Sequence, residues 1–382
     1  CYGIQKTVIN DMLLSFPDNE IIITVDNGIA SIDGVNYAND KNMEVLVTDH
    51  HLQGEELPDA VLIINPNKNS DTFPSKALAG CGVAFYVMIA LRDVFINKEI
   101  SKINSEIETE LNDKVKKIKL KHDISFLLDY LAIGTVADVV SLDENNRLIV
   151  ETGLNRIKSG KANVGIKALC NVKDIDEKKI TTSDIGFKIG PVLNAAGRLK
   201  NMSLGIDLLL SDSIVEANAK AIELNNVNIE RKAMQKEMRE KVIEDYENEE
   251  KKELEKLDFD KEKFDFSKVF YNPTFHEGII GILASNIKDM FYLPAIVFSD
   301  TEDVSLIKGS GRSINEIHLR DAIDYVFKKD PSIISKFGGH SMAAGLSIYK
   351  DKLNDFQRLF DESCKLILNG EKPVDVKLID MN

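Results

Sequence analysis

Along the first hundred residues, apolar bursts alternate with polar, amphipathic stretches: IIITV (Ile21–Val25), EVLVT (Glu44–Thr48) and VLIIN (Val61–Asn65). Short runs rich in β-branched residues, about 20 residues apart, predict βαβ units and a parallel sheet covered by helices. In such sheets chemistry gathers at the carboxyl ends of the strands. Asp26 closes the first run, and VTDHH sets Asp49, His50 and His51 at the close of the second. Adjacent histidines inside a strand point to opposite faces, so both can serve one site only where the strand has ended and the backbone turns.

Residues 97–122 are charged and lysine-rich without β character, which predicts an exposed helix in a solvated insertion. FLLDYLAIGTVADVVSL (Phe126–Leu142) is an apolar, helix-like segment leading into Asp138. From 213 to 256, dense Glu, Lys, Arg and Ala without Pro predict a long helix laced with opposite charges, connecting two domains. Beyond it, KVFYN and PAIVFS have strand character, and GSGRS (Gly309–Ser313) and KFGGHSMAAG (Lys336–Gly345) are glycine-punctuated. The expected architecture is α/β: a parallel-sheet domain over 1–212, a connecting helix over 213–256, and a second, smaller α/β domain over 257–370. The polar stretch 371–382 is expected to begin a further domain.

A chain of 382 residues, 43% of them hydrophobic, can fill two cores. The longest mainly apolar run, Ala77–Leu91, holds Gly80 and Gly82 and is shorter than the roughly 18 to 20 residues a bilayer requires. No membrane association is expected. CYGIQKTVIN carries no secretion pattern, so a cytoplasmic location is expected. Cys1, Cys81, Cys170 and Cys364 form no CxxC pair, which argues against a disulfide framework and a thiolate zinc site. The net charge of −14 argues against wholesale coating of nucleic acid, so any nucleic-acid site must be a local basic groove.

Asp26, Asp49, His50, His51 and Asp138 are then carboxylates and imidazoles, each near a predicted strand or helix end. Oxygen and nitrogen donors without thiolate suit Mn²⁺ or Mg²⁺. Two such ions about 4 Å apart activate water and hold both oxygens of an in-line phosphoryl displacement, which makes phosphodiester hydrolysis the natural reaction. Taken singly, each residue has an ordinary explanation as a turn cap or a hydrogen-bonded side chain. The doublet with its leading Asp, one βαβ step after VDNG, is what sets the group apart.

ITVDNGIAS, VTDHH, LAGCGVAFY, LAIGTVADVVSL, GPVLNAAGRL, HEGIIGILAS, GSGRSI and FGGHSMAAG, in this order and spacing, resemble the DHH phosphoesterase superfamily. Within it they are similar to the single-strand-specific 5′→3′ DNA exonucleases of DNA repair and recombination. The resemblance implies that Asp26 bridges two metals, that His50 and Asp138 ligate one of them, that His51 sits against the scissile phosphate, and that Asp49 orients its neighbours. In the second domain it makes Gly338, Gly339 and His340 substrate contacts, at a turn whose N–H groups could open a helix and cradle a phosphate. Arg312 and Ser313, in a loop, would grip phosphate. Arg198 would reach into an interdomain cleft towards DNA or pair with an acidic neighbour, and His276 would be either a substrate contact or structural. Phe275 and Val192 stand where such chains often carry a larger aromatic and an arginine.

The resemblance also implies a preceding strand with a DxD-type motif that supplies most ligands of the other metal, and a following OB-fold. The sequence opens at CYGIQ, past the place of that strand, so if the strand is absent from the molecule one metal is expected to be held less well, DNA to be hydrolysed poorly, and a sheet edge to be exposed. Single-stranded DNA is the implied partner, with single-strand-binding protein and a helicase beside it. The rival readings are a short-oligonucleotide phosphodiesterase of the same superfamily and a non-catalytic DNA-binding scaffold. The metal reading requires Asp26, His50 and Asp138 to lie within about 8 Å of one another.

Overall fold

The computed structural model describes residues 3–103, 108–255 and 265–375. It divides the chain into two units, residues 1–194 with 203–224 and residues 195–202 with 225–382. In the first unit α1 (Lys6–Ser15) leads into β1 (Ile21–Val25), α2 (Ile32–Asp40), β2 (Glu44–Thr48) and β3 (Leu62–Ile64). The strands are parallel in the order β1-β2-β3, with Val25 opposite Thr48 and Thr48 opposite Ile64. Ile22, Val45 and Val47 point into a core shared with Ile9, Val35 and Ala38. The other face of β1 is open: Ile21, Ile23 and Val25 are exposed, and β1 is an edge strand among the described residues.

Helices complete this unit: α3 (Gly80–Ile100), α4 (Glu108–Lys121), α5 (Leu128–Ala137), α6 (Glu144–Lys158), α7 (Val164–Val172), the single turn α8 (Thr182–Asp184), α9 (Gly190–Leu199) and α10 (Ser203–Leu209). A five-residue π-helical turn, Ile185–Ile189, separates α8 from α9. The end of α9, from Ala195, groups with the second unit. α5 and α6 pack closely because Gly153 has no side chain: a Cβ there would lie 2.2 Å from the Leu128 carbonyl oxygen. Leu78, Val83 and Phe85 close over Leu131 and Ile149 to form a second apolar cluster.

The apolar run is longer as a helix than it reads in sequence: α3 starts at Gly80, contains Gly82 and continues past Leu91 to Ile100, 21 residues in all. Among the described residues, α3 is the one helix long and apolar enough to cross a membrane by length and composition alone. Val83 and Phe85 in its first turns pack with Leu78, while Leu91, Val94 and Phe95 further along are exposed. The lysine-rich insertion is helical over α4, while residues 104–107 lie outside the described residues.

α11 runs from Ile214 to Glu255, with i,i+4 pairs such as Glu237 with Lys241 at 2.9 Å. The division between the units falls within it, after Leu224. In the second unit β4 (Lys268–Tyr271), β5 (Ala295–Asp300), β6 (Leu306–Arg312), β7 (Ile334–Gly339) and β8 (Ala343–Tyr349) form a sheet in the order β4-β5-β6-β8-β7. β4 and β5 pair in parallel and the remaining neighbours antiparallel. α12 (Ile280–Phe291), α13 (Leu319–Lys329) and α14 (Leu353–Ile367) complete it, and at its centre Phe298 meets Phe356 edge to face while Phe356 stacks on Phe360.

Two local expectations change here. GSGRS is not a loop: its residues up to Arg312 belong to β6, because Gly309 and Gly311 let Phe298 and Leu319 press onto the strand, where a Cβ would lie 2.5 and 2.9 Å from them. KFGGHSMAAG does not open a helix but forms the β7–β8 hairpin, with Gly339 at φ +147° and His340 N donating to the Ala343 carbonyl at 2.8 Å. The stretch 371–382 lies outside the described residues from 376 onward.

Candidate metal centre and phosphate contacts

The first site is assembled where β1, β2 and α5 stop. Asp26 N donates to the Thr48 carbonyl at 3.0 Å, so the ladder continues one residue past β1 before the chain turns at Asp26, φ 65°. Asp tolerates this left-handed conformation better than a β-branched residue. Asp49 N likewise donates to the Ile64 carbonyl at 3.1 Å, extending β2 by one residue before both imidazoles turn out.

Asp49 is 1% exposed, and its carboxylate is saturated. It accepts from Ile29 N at 3.0 Å, His50 N at 2.7 Å, His51 N at 3.2 Å and His51 Nδ1 at 2.7 Å. Burial pushes its pKa up, but these donors outweigh burial and hold it below the usual carboxylate value. Two residues that were not singled out in the sequence fix the same turn. Asn65 donates to the His51 carbonyl at 2.8 Å and Asn67 to the His50 carbonyl at 2.5 Å. Their position just past the third strand, in NPN, was the available signal.

His50 Nε2 lies 3.0 Å from Asp26 Oδ1 and 3.5 Å from Asp138 Oδ2. Asp138 caps the C-terminus of α5, so residues far apart in sequence converge, inside the distance the metal reading requires. Asp26, His50 and His51 offer ligand atoms all within 4.8 Å of one another. The donors are carboxylate oxygen and imidazole nitrogen, which fits Mn²⁺ or Mg²⁺. The nearby Cys81 thiol is pushed up to about 11, first by burial and then by Asp138 and Asp26, so it stays protonated and adds no thiolate.

The hydrogen bond to Asp26, opposed by burial and helped by Asp138, raises the pKa of His50; the hydrogen bond to Asp49 does the same for His51. Burial raises Asp138, partly offset by the His50 charge and reinforced by Asp26. A raised imidazole pKa stabilises the folded chain fully below the ordinary value of 6.5 and ceases to as pH climbs through the raised values. The metal-free protein should therefore melt at a lower temperature at pH 8 than at pH 6. The difference should shrink in His50→Ala, read by scanning calorimetry in chelator. An equal pH dependence in wild type and variant would refute the coupling.

In the second unit the expected phosphate contacts divide. Arg312 and Ser310 share one face of β6, with Arg312 Nη1 3.4 Å from Ser310 Oγ. Ser313 does not join them: it is 1% exposed and its hydroxyl donates to the Ile317 carbonyl at 2.8 Å, committed to a turn. Arg198 Nη1 donates to the Gly278 carbonyl at 3.3 Å rather than to an acidic neighbour. Burial first, and the Arg198 charge second, lower the pKa of both Arg312 and Arg231. Arg231, 9% exposed and bonded to Asn228 and Gln235, is a residue sequence reasoning missed, because a charge-laced helix gives no signal for one inward arginine. Among the described residues, none of these three guanidinium groups has a carboxylate partner, and such a group of cations is suited to an anion.

Gly338 and His340 are exposed on the β7–β8 hairpin. His276 Nδ1 accepts from Gly278 N at 3.0 Å, a turn bond. Phe275 is no stacking residue, since it is 5% exposed and packs with Met238 and Ile279. Val192 is fully buried.

A parallel-stranded unit with carboxylates and imidazoles at its strand ends, followed by a second α/β unit, is the build expected of a DHH phosphoesterase; that the second sheet is mixed is an addition of the structure. Residues 2–135 match the DHH family, N-terminal domain, and residues 266–366 match the DHHA1 domain. The chain is 45% identical over 347 residues to the single-stranded-DNA-specific exonuclease RecJ of Escherichia coli, covering 90% of this chain and 56% of that one. It is 44% identical over 364 residues to RecJ of Salmonella typhimurium, covering 94% and 58%. Among solved structures, RecJ of Thermus thermophilus in complex with Mn²⁺ superposes with a TM-score of 0.73 at 24% identity, covering 94% of this chain and 47% of that one. The chain thus carries a DHH domain followed by a DHHA1 domain and is similar to RecJ proteins over about nine tenths of its own length. It spans somewhat over half the length of the curated relatives it matches.

Proposed function

We propose that this chain hydrolyses phosphodiester bonds of single-stranded DNA from the 5′ end, as a cytoplasmic Mn²⁺- or Mg²⁺-dependent exonuclease of repair and recombination. The observation that carries the reading is the convergence of Asp26, His50 and Asp138, 3.0 and 3.5 Å apart through His50 Nε2. The names of the relatives and the likeness of fold support it, and the polarity rests on the relatives alone. Asp26, His50 and Asp138 would hold the metal, which when bound would lower the pKa of water and neutralise phosphate charge.

The chain's own residues then have distinct tasks. Asp49 holds the Nδ1 proton of His51, which turns Nε2 outward and favours the imidazolium; His51 can then donate a hydrogen bond from Nε2 to a phosphate oxygen. Asn65 and Asn67 fix the backbone of the two histidines against rotation. Arg198, Arg231 and Arg312, with Ser310, would hold backbone phosphates, and Gly338, Gly339 and His340 on the hairpin would add contacts to the strand. Phosphate contacts do not distinguish one strand from two, so selectivity would come from a groove that admits only a single strand. Single-strand-binding protein and a helicase are the partners such an enzyme would work beside.

Release of mononucleotides from a long 5′-labelled or 3′-labelled single strand in Mn²⁺, compared with a pentanucleotide, tests the reading. Preference for the pentanucleotide favours a short-oligonucleotide phosphodiesterase, and binding without cleavage favours a scaffold. Arg312→Ala should weaken single-strand binding and reduce the slope of log affinity against log salt by about one unit. An unchanged slope would remove Arg312 from the phosphate contacts.

A further inference from the structure

Phe187 is 82% exposed in the middle of the π-helical turn Ile185–Ile189, whose two ends, Ile185 and Ile189, are fully buried. Single exposed apolar residues are ordinary on a protein surface. This one sits on a segment anchored at both sides and wound in a geometry that is rare and concentrated at functional sites. Among the described residues, it has no ring partner.

The turn lies against the last turn of α5. A Cβ on Gly190 would be 3.5 Å from the Ala137 Cβ, and one on Gly186 would be 3.8 Å from Val136 Cγ1. The next residue along α5 is Asp138, its C-cap. After it comes Val139, at φ 60° and 86% exposed. A β-branched residue in the left-handed region is strained, and the position after a helix C-cap is where glycine is usual. An outlier of this kind, maintained beside a cluster of candidate metal ligands, points to a use for the side chain. The neighbouring cation is not available for phosphate, because Lys188 is paired with Asp184 at 2.7 Å. What the two segments offer is an exposed aromatic ring on the turn and an exposed aliphatic side chain just past the end of α5.

We propose that Phe187 and Val139 form a platform on which a nucleobase of the single strand stacks, at the nucleotide next to the phosphate held at the metal centre. The inference rests on the nuclease reading of that site and adds a base-contacting element to it. Stacking on an aromatic face accepts every base, so the platform would align the strand at the centre without reading its sequence. Phe187 is solvent-exposed, so its truncation leaves no cavity in the fold.

The test uses fluorescence anisotropy with a labelled oligonucleotide in chelator, together with steady-state hydrolysis in Mn²⁺. Phe187→Ala should weaken binding about tenfold and raise KM by a similar factor, whereas Phe187→Tyr should stay close to wild type. A series of strands carrying one abasic nucleotide at successive positions then locates the contact. At one position wild type should lose the same factor, and Phe187→Ala should lose nothing further. Val139→Gly should melt at the same temperature or higher while binding less tightly. Wild-type affinity and KM in Phe187→Ala, or an equal loss on every abasic strand, would overturn the platform. If wild type binds with the expected Phe187 dependence but never cleaves, the platform stands and the nuclease reading fails.

Discussion

Replacing Asp138 with asparagine should reduce Mn²⁺-dependent hydrolysis of single-stranded DNA on the order of a thousandfold in kcat/KM, since the metal's several kcal/mol of charge stabilisation depends on its ligands. The same change should not destabilise the metal-free protein. Burial raises the pKa of the Asp138 carboxyl, and Asp26 reinforces this, so at neutral pH its charge opposes folding. Asparagine removes that charge at almost the same volume, and the melting temperature in chelator should hold or rise while activity falls. His50→Ala should lose activity to a similar degree but with the opposite sign on stability. It removes the imidazole that bridges Asp26 and Asp138 and leaves the two carboxylates without it. Activity at fixed Mn²⁺, Mn²⁺ affinity by calorimetry and melting in chelator separate these effects. Near-normal cleavage by Asp138→Asn would remove Asp138 from the metal.

The first site was readable in the sequence for a geometric reason. Parallel strands present their carboxyl ends on one side, so locating the ends of IIITV and EVLVT located Asp26 and Asp49–His51, and the observed β1 and β2 coincide with those runs. Asp138 was singled out as the acidic residue of an apolar, helix-like segment, and its part in the site came from the motif resemblance; that α5 stops at Ala137 with Asp138 as its C-cap was not legible. The second unit was less legible because its strands pair over long sequence distances. Glycine-rich GSGRS and KFGGHSMAAG have local preferences for turns, yet Gly309 lies opposite both Phe298 and Leu346, where only a strand without side chains fits. That tertiary requirement overrides local propensity. Ser313 was misjudged for the same reason: the strand pleat puts Ser310, two residues from Arg312, on the guanidinium's face and turns Ser313 inward. Nothing in the periodicity of α11 distinguished Arg231 from its exposed neighbours.

Gly80→Ala should cost about a hundredfold in kcat/KM, although Gly80 carries no functional group. By helix propensity alone the substitution is favourable, although at the first position of α3 the gain is less than the roughly 0.5–1 kcal/mol of a helix interior. The site decides otherwise. A Cβ on Gly80 would lie 2.3 Å from Asp26 Oδ1 and 2.5 Å from Asp26 Cβ and Cγ, closer than any real contact. Rotating the carboxylate relieves the first overlap but not the second, because Asp26 Cβ is fixed by a backbone held in the left-handed region and bonded to Thr48. The loop or the first turn of α3 must shift, and a displacement of about 1 Å at a catalytic group suffices for a loss of this size. Gly82→Ala is the control, since its Cβ would meet only the end of the flexible Leu78 side chain at 2.9 Å. The expected pattern is two folded proteins by circular dichroism, with Mn²⁺ affinity and hydrolysis impaired in Gly80→Ala and close to wild type in Gly82→Ala. If both variants cleave alike, the packing of α3 against Asp26 has no part in positioning the ligand.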